Sequence, residues 1–301
     1  MSSVGPRYAT SAAFVRALDH QLRVAAVSAG RPVEELRRQF LTHRLLARVF
    51  LRPDSGWVLM GGVGMLVRVP GARATRDVDL MHSYGTVEQA IGELDGLLLT
   101  PHLDPFTFQR SAARTMTGRT DGAQLSVTAL AGASRVGTFP IDLTTNRTPL
   151  ARTQLLRPRP VIDIDDVSPL PEFVLYPLED QVADKICAMF GRYGTVGSPS
   201  TRFHDLVDLV LITRGLSVDA TGTRAAIESE QHRRGVTVPG DVPSPGPTWG
   251  AGYRAVAARS TLPPDLHHLE NALAAIRPLV RPLLTGGGLS GRWDPARQRW
   301  T

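Results

Sequence analysis

The segment from Gly61 to Leu80 constrains this chain more than any other part of its sequence. It reads GGVGMLVRVPGARATRDVDL: a glycine pair, a short helical pattern, a turn, and a strand pattern that carries Asp77 and Asp79. Residues two apart on a strand point to the same face, so we expect the two carboxylates to lie side by side. Two neighbouring carboxylates repel each other unless a cation lies close to both. Mg²⁺ is commonly bound by one or two carboxylates together with substrate phosphates.

The glycine pair Gly61-Gly62 predicts a backbone that can approach a phosphate closely, with the amides of the following helix directed at it. A glycine pair before a helix is also common as backbone geometry alone, and an aspartate pair can cap a turn on an exposed strand. Val78 and Leu80 alternate with the acids, which favours a strand with one buried and one polar face. Together these features predict an enzyme that acts on a nucleoside triphosphate with a divalent metal.

A third carboxylate, Asp142 in the stretch TFPIDLTTN, is the best candidate to complete a metal site. It lies between Ile141 and Leu143 in a predicted strand, where a lone acid is costly unless it is paired or binds a metal. The alternative is an acid near a strand end that begins the turn at 144–146. The acidic run at 163–166 fits an exposed strand end better than a metal site.

Lys185 is the only lysine among the 34 lysine and arginine residues of the chain. It falls in an amphipathic helical pattern over 178–192, and its compact ammonium suits a tight triphosphate site better than a planar guanidinium. A plain exposed lysine is the alternative. In the next predicted helix Asp205 and Asp208 are three residues apart and share a face with Arg202. A salt bridge on the helix surface would by itself explain that group.

Composition sets broad limits on this 301-residue chain, whose net charge is +6 and whose pI is about 10.2. The basic excess favours a polyanionic partner, although no block of like charges forms a basic tail. The sequence has neither a long apolar run nor a signal-peptide pattern, so we expect a soluble cytoplasmic protein without a membrane partner. Its one cysteine, Cys187, excludes an internal disulfide and a cysteine-rich zinc site, and we expect no disulfide partner.

The predicted elements indicate an α+β fold, in which a small mixed sheet with flanking helices lies between N-terminal helices and a C-terminal helical region. We predict two domains. Residues 1–176 hold the N-terminal helices and the α/β core, and residues 177–301 form a mainly helical region that completes the active site. The β-like runs include 160–165, and 285–301 is predicted to be a loose tail.

These features resemble the AbiEii-type nucleotidyltransferase toxins, which include the mycobacterial MenT group and belong to the polymerase-β-like nucleotidyltransferase superfamily. The resemblance extends over about residues 10–280. It is carried by Gly61-Gly62 followed after fourteen residues by Asp77-Val78-Asp79, by LEDQVADKICAM with Lys185, and by RFHDLVDL, which resembles an RDxxDL motif. The chain departs from the pattern twice: residue 62 is glycine where the superfamily often has serine, and a histidine at 204 replaces the motif's arginine.

The resemblance implies a toxin of a type IV-like toxin-antitoxin system with a polymerase-β-like nucleotidyltransferase core. Such an enzyme would transfer a nucleotide from an NTP to the 3′ end of tRNA, which blocks aminoacylation and translation. Its partners would be tRNA and a cognate antitoxin protein. The alternatives are transfer to a small molecule or a protein side chain, and an inactive module of the same fold that binds RNA or the antitoxin.

The residues and the resemblance together give each candidate a role. We expect Mg²⁺, with Mn²⁺ as the alternative, to be bound by Asp77, Asp79 and Asp142. The expected catalytic residues are Asp77, Asp79, Lys185 and Asp205; Lys185 would neutralise triphosphate charge, and Asp205 would orient Lys185 or the nucleotide. The expected nucleotide-binding residues are Gly61, Gly62, Arg76, Lys185 and Arg202. Arginines such as Arg68, Arg73, Arg76 and Arg202 also fit contact with an RNA backbone.

Overall fold

The computed structural model describes residues 6–115, 121–145, 147–194 and 197–301. These residues fall into two compact units. The sheet unit lies within Met1–Arg68, Thr75–Thr148 and Gln154–Leu175, and the helical unit lies within Val69–Ala74, Pro149–Thr153 and Tyr176–Thr301. Two short segments that precede residue 176 in the chain therefore group with the C-terminal residues.

The sheet unit combines helices and strands from the first part of the chain. Its helices are α1 (Ser11–Ala29), α2 (Val33–Val49), α3 (Gly61–Arg68) and α4 (Val87–Leu98). Its strands are β1 (Trp57–Leu59), β2 (Val78–His82), β3 (Phe106–Arg110), β4 (Arg114–Thr115), β5 (Gly122–Ala131), β6 (Ser134–Thr144), β7 (Gln154–Leu156) and β8 (Phe173–Leu175).

These strands form one mixed sheet in the order β3-β5-β6-β2-β1-β8-β7, and β4 also pairs with β5. Strands β2 and β6 run parallel, as do β1 and β8, whereas β1 and β2 are antiparallel. The mixed sheet with flanking helices confirms the predicted α+β fold. Because β2 lies between β1 and β6, it is a central strand whose apolar side chains Val78 and Leu80 are buried.

A buried charge cluster anchors α2 in the sheet unit. Asp104 accepts hydrogen bonds from Arg44 Nε at 2.8 Å and from Arg48 Nη1 and Nη2 at 2.8 and 2.9 Å. The Asp104 side chain is fully buried and the two arginine side chains are 2% or less exposed. Buried charges are tolerated only when they are paired and hydrogen-bonded, so this cluster fixes the loop before β3 against α2.

The helical unit holds the remaining elements. They are α5 (Leu178–Phe190), β9 (Arg192–Tyr193), β10 (Ser198–Pro199), α6 (Phe203–Gly215), α7 (Ala220–Arg234), α8 (Trp249–Ala257), a 3₁₀ turn (Pro264–His267), α9 (Leu269–Thr285), β11 (Trp293–Asp294) and β12 (Arg299–Trp300). Helix α6 packs against α5, α8 and α9, and its residues 205–213 are all buried. None of the helices in the described ranges is both long and apolar enough to cross a membrane.

Two sequence-based predictions of secondary structure are wrong. Residues 160–165 form no strand, because the chain turns at Asp166, whose carboxylate accepts the backbone N–H groups of Arg7 and Tyr8. Residues 285–301 are not wholly a loose tail, since they include the β11–β12 hairpin. Trp293 in that hairpin is 1% exposed and its indole N–H donates to the Thr213 carbonyl at 2.7 Å. A single buried tryptophan gives no periodic signal that would predict this docking.

We predict that Asp104→Asn lowers the free energy of unfolding by about 3–5 kcal/mol, because two buried guanidinium groups lose their counter-charge. The matched control is Asp165→Asn, since Asp165 pairs with Arg7 on the surface, with side chains 53% and 70% exposed. That change should cost less than about 1 kcal/mol. Urea denaturation measures both, and equal losses would contradict the structural role of Asp104.

Candidate active site

Asp79 and Asp142 occupy matched positions on neighbouring strands of the sheet unit. Strands β2 and β6 are parallel, and Asp79 is the register partner of Asp142, so both side chains project from the same face of the sheet. Gln124 on β5 is the next residue in this row, and its Nε2 donates to Asp142 Oδ1 at 2.9 Å. Both carboxylates are half-buried. Asp142 lies within β6, two residues before its end, and residue 146 of the predicted turn lies outside the described residues.

Asp77 lies one residue before β2 and is exposed. Within the described ranges, no group of three or more histidine, cysteine, aspartate or glutamate side chains is arranged to hold a metal ion. The predicted trio Asp77, Asp79 and Asp142 is therefore not gathered into a complete three-ligand site. Two carboxylates completed by substrate phosphates remain a donor set that suits Mg²⁺. The chemistry of these residues thus fits a divalent cation that binds together with a triphosphate.

The glycine pair at the start of α3 lies directly against this acidic segment. Gly61 has φ +59°, a conformation that favours glycine, and a Cβ built there would overlap the carboxylate of Asp79. A Cβ built on Gly62 would come within 2.7 Å of Thr75 Oγ1. Both glycines thus permit a close approach between α3 and the chain that leads into β2. This packing explains the glycine pair without reference to a phosphate.

Lys185 lies on α5 in the helical unit and is 6% exposed. Its Nζ donates to Asp208 Oδ2 at 2.6 Å and to Asp205 Oδ1 at 3.2 Å. Asp205 and Asp208 are 3% and 0% exposed, so the alternatives of an exposed lysine and of a salt bridge on the helix surface are both wrong. The only lysine of the chain is instead held as an ammonium between two buried carboxylates.

Two arginines complete this group. Arg73 binds Asp208 through two hydrogen bonds, Nε to Oδ1 at 3.0 Å and Nη2 to Oδ2 at 2.9 Å. Arg202, the residue before α6, donates from Nε to Asp205 Oδ2 at 2.6 Å. We call these five residues, Arg73, Lys185, Arg202, Asp205 and Asp208, the lysine cluster. With three cations and two carboxylates, its formal charge is +1, which suits a site that receives an anion.

The charges of the lysine cluster stabilise one another. Burial alone would lower the pKa of Lys185, but the carboxylates of Asp208 and Asp205 raise it above its ordinary value. Burial alone would raise the pKa of Asp205, but Lys185 and Arg202 lower it. His204, on the same helix, has its pKa lowered by burial and by the positive charge of Arg73. Lys185 is therefore protonated and Asp205 ionised at neutral pH.

The pairing of Arg73 with Asp208 has no local sequence signal of its own, since 135 residues separate the two. Arg73 was expected to contact an RNA backbone, but its side chain is 14% exposed and its guanidinium is bound to Asp208. Arg76 is exposed, and the Arg202 side chain is 56% exposed although it binds Asp205. The one available signal was Asp208 itself, an acid that falls in the apolar run of α6.

Comparison with protein families gives the decisive observation. The model described as "Nucleotidyl transferase AbiEii toxin, Type IV TA system" matches residues 44–277. The chain belongs to this family. The resemblance identified from the sequence motifs is thereby confirmed, and the family supports an enzyme that transfers nucleotides and is part of a toxin-antitoxin system with an antitoxin partner. The comparison with curated protein sequences gave no match.

Solved structures with a similar fold include MenT4, a nucleotidyltransferase toxin from Mycobacterium tuberculosis H37Rv. It is 17% identical to this AbiEii-family chain, with 92% of each chain covered and a TM-score of 0.58. JHP933 from Helicobacter pylori is 11% identical, with 83% of this chain and 91% of that chain covered and a TM-score of 0.49. At this identity the MenT4 match demonstrates a shared fold.

We predict that Gly61→Ala destabilises the AbiEii-family chain, since alanine at φ +59° is strained by about 1–2 kcal/mol and its Cβ would displace the Asp79 carboxylate. Gly64→Ala on the same helix is the matched control. Its nearest neighbour, the Leu59 carbonyl oxygen, would lie at an ordinary 3.6 Å. Thermal unfolding should show a lower Tm for Gly61→Ala and an unchanged or higher Tm for Gly64→Ala; the reverse order would contradict the close approach.

We predict that Asp205→Asn lowers the free energy of unfolding by about 3 kcal/mol at pH 7, because two cations lose a buried partner. The folded pKa of Asp205 lies below its ordinary 3.8, so its contribution is complete above that value and is lost as the pH falls through the folded pKa. The difference between wild type and variant should therefore shrink in acid. Urea denaturation across a pH series measures it, with the exposed Asp241→Asn as control; a difference that does not depend on pH would refute the assignment.

Proposed function

We propose that this protein is a toxin that transfers a nucleotide from an NTP to the 3′ end of tRNA and thereby blocks aminoacylation. The observation that carries the proposal is the buried Lys185 ammonium, held by Asp205 and Asp208 in a chain of the AbiEii family. A lysine that served only stability could be replaced by arginine, the residue that this chain uses at every other basic position.

Lys185 has a donor that its partners do not use. An ammonium has three N–H bonds, and the hydrogen bonds of the described residues account for two, to Asp205 and Asp208. We propose that the third binds an oxygen of the triphosphate. A preorganised cation of this kind stabilises the negative charge that develops on the leaving pyrophosphate, without reorganisation during the reaction.

The carboxylates of the sheet unit supply the metal chemistry in this proposal. Asp77 and Asp79 would hold a divalent cation, Mg²⁺ or Mn²⁺, together with phosphate oxygens of the NTP, and Asp142 would join as a further ligand once the cation draws the carboxylates together. When bound, the cation would lower the pKa of the acceptor hydroxyl and offset triphosphate charge. Gln124 holds Asp142 in place, and the packing of Asp79 against Gly61 restricts its carboxylate. The backbone amides at the start of α3 would bind phosphate oxygens.

In the proposed reaction the 3′ hydroxyl oxygen of the RNA attacks the α-phosphorus of the NTP. A new oxygen–phosphorus bond forms, the bond to the bridging oxygen of pyrophosphate breaks, and the hydroxyl proton passes to solvent. Asp205 would orient Lys185 through its hydrogen bond. Arg76 and the exposed part of Arg202 would contact the nucleotide, and the basic excess of the chain would favour an RNA acceptor.

We predict that incubation with tRNA, Mg²⁺ and each of the four [α-³²P]NTPs labels the RNA with at least one of them. The same NTP labelled at the γ position should give no label, because that phosphate leaves in pyrophosphate. Periodate oxidation of the tRNA should abolish labelling, since it destroys the 3′ hydroxyl. Asp79→Asn and Lys185→Met should each reduce transfer by about 100-fold or more.

The controls separate the rival functions. Lys185→Arg keeps the charge but replaces the compact ammonium by a planar group, so it should also lose most activity. Label in a protein or small-molecule fraction, with none in RNA, would favour the alternative acceptors. Growth inhibition that persists in both Asp79→Asn and Lys185→Met would favour an inactive binding module. The exposed Arg214→Gln on α6 is the control variant and should behave as wild type.

A further inference from the structure

Arg73 holds a position that the proposed mechanism does not use. It belongs to the short segment Val69–Ala74, which groups with the helical unit, and it precedes Asp77 by four residues in the sequence. Its guanidinium makes two parallel hydrogen bonds to Asp208, at 3.0 and 2.9 Å. A bidentate pair of this type fixes both the position and the plane of the carboxylate.

Arg73 and Lys185 share one oxygen. Asp208 Oδ2 accepts from Arg73 Nη2 at 2.9 Å and from Lys185 Nζ at 2.6 Å, while Oδ1 accepts from Arg73 Nε. With the carboxylate plane set by Arg73, the lysine ammonium meets only one oxygen of Asp208. Its second contact is Asp205, which is in turn held by Arg202. The direction of the third ammonium N–H therefore depends on Arg73.

We propose that Arg73 is a positioning residue for nucleotide transfer: it fixes Asp208 and, through Asp208, directs the Lys185 ammonium toward the triphosphate. The inference rests on the proposed role of Lys185. Without Arg73, both oxygens of Asp208 would become available to Lys185, so the ammonium would turn toward its carboxylate. The loss of Arg73 would also lower the formal charge of the lysine cluster from +1 to zero, since two cations and two carboxylates would remain. Both changes would weaken the stabilisation of the negative charge that develops on the leaving pyrophosphate in the transition state.

The sequence itself offers a direct probe, because Lys185 is the only lysine. Protein labelled with [¹⁵N]lysine should give a single side-chain ammonium signal by NMR, that of Lys185. We expect Arg73→Gln to shift this signal and to change the rate at which its protons exchange with water. Asp208→Asn should also shift it, and adding Arg73→Gln to Asp208→Asn should produce little further change. Arg214→Gln, exposed on the same helix as Asp208, is the control and should leave the signal in place.

The kinetic arm uses the nucleotide-transfer assay. Arg73→Gln should lower kcat by about 100-fold, the cost of a misplaced catalytic group, with a KM for NTP within about three-fold of wild type. In the Asp208→Asn background the same change should cost less than about two-fold, because Arg73 acts through Asp208. Arg73→Lys keeps the charge but loses the second hydrogen bond, so its kcat should fall between those of wild type and Arg73→Gln.

The two arms distinguish failure of this inference from failure of the proposed function. If the wild type transfers no nucleotide to any acceptor, the proposed function fails, and the NMR arm still decides whether Arg73 sets the Lys185 ammonium. An unchanged Lys185 signal in folded Arg73→Gln overturns the inference. If Arg73→Gln does not fold, Arg73→Lys decides through its kcat alone, because it adds a second lysine ammonium signal, and a wild-type kcat in that variant overturns the inference. Losses in kcat that are additive with Asp208→Asn also overturn it, since they would indicate a role independent of Asp208.

Discussion

The pairing of the Lys185 ammonium with two buried carboxylates is the interaction on which the helical unit's chemistry depends. Asp205 and Asp208 project from α6 at helical spacing, and Lys185 reaches them from α5. Burying one of these charges alone would cost several kcal/mol, so each requires the others. Arg73 and Arg202 add two positive charges, so that three cations face two carboxylates. The cluster therefore has a net positive charge held in a fixed position. Such a charge can stabilise the negative charge that develops during phosphoryl transfer.

The sheet unit satisfies a different constraint, the close approach of two backbones. Strand β2 brings Asp79 against the start of α3, and only glycine at residue 61 leaves room for its carboxylate. The row of Gln124, Asp142 and Asp79 across three strands follows from register, which places the residues on one face. Two acids, Asp79 and Asp142, therefore lie side by side on central strands of the sheet. A polar group on a sheet costs free energy unless it is hydrogen-bonded, and Gln124 supplies such a bond to Asp142.

Much of this arrangement could be predicted from local sequence. The spacing of Gly61, Asp77 and Asp79 and the periodicity around Lys185 identified the elements that carry the candidate residues, and the family motifs followed from them. Errors arose where a distant contact decides the local structure. Residues 160–165 form no strand and lead into a turn at Asp166, whose carboxylate binds the backbone amides of Arg7 and Tyr8, more than 150 residues away in the sequence. No local pattern contains that information.

Periodicity, motif spacing and composition are enough to predict the fold class, the family and the unusual lysine of this chain, because all three are properties of the linear sequence. The pairing of the buried charges, in contrast, follows from how the helices and strands pack. Arg73 and Asp208 are separated by 135 residues, and their pairing makes Arg73, an arginine that the sequence suggests for RNA contact, a member of the lysine cluster. The physical reason is that a helix or strand pattern specifies which face a side chain occupies. It does not specify which distant side chain will neutralise a buried charge, since that depends on how the elements pack.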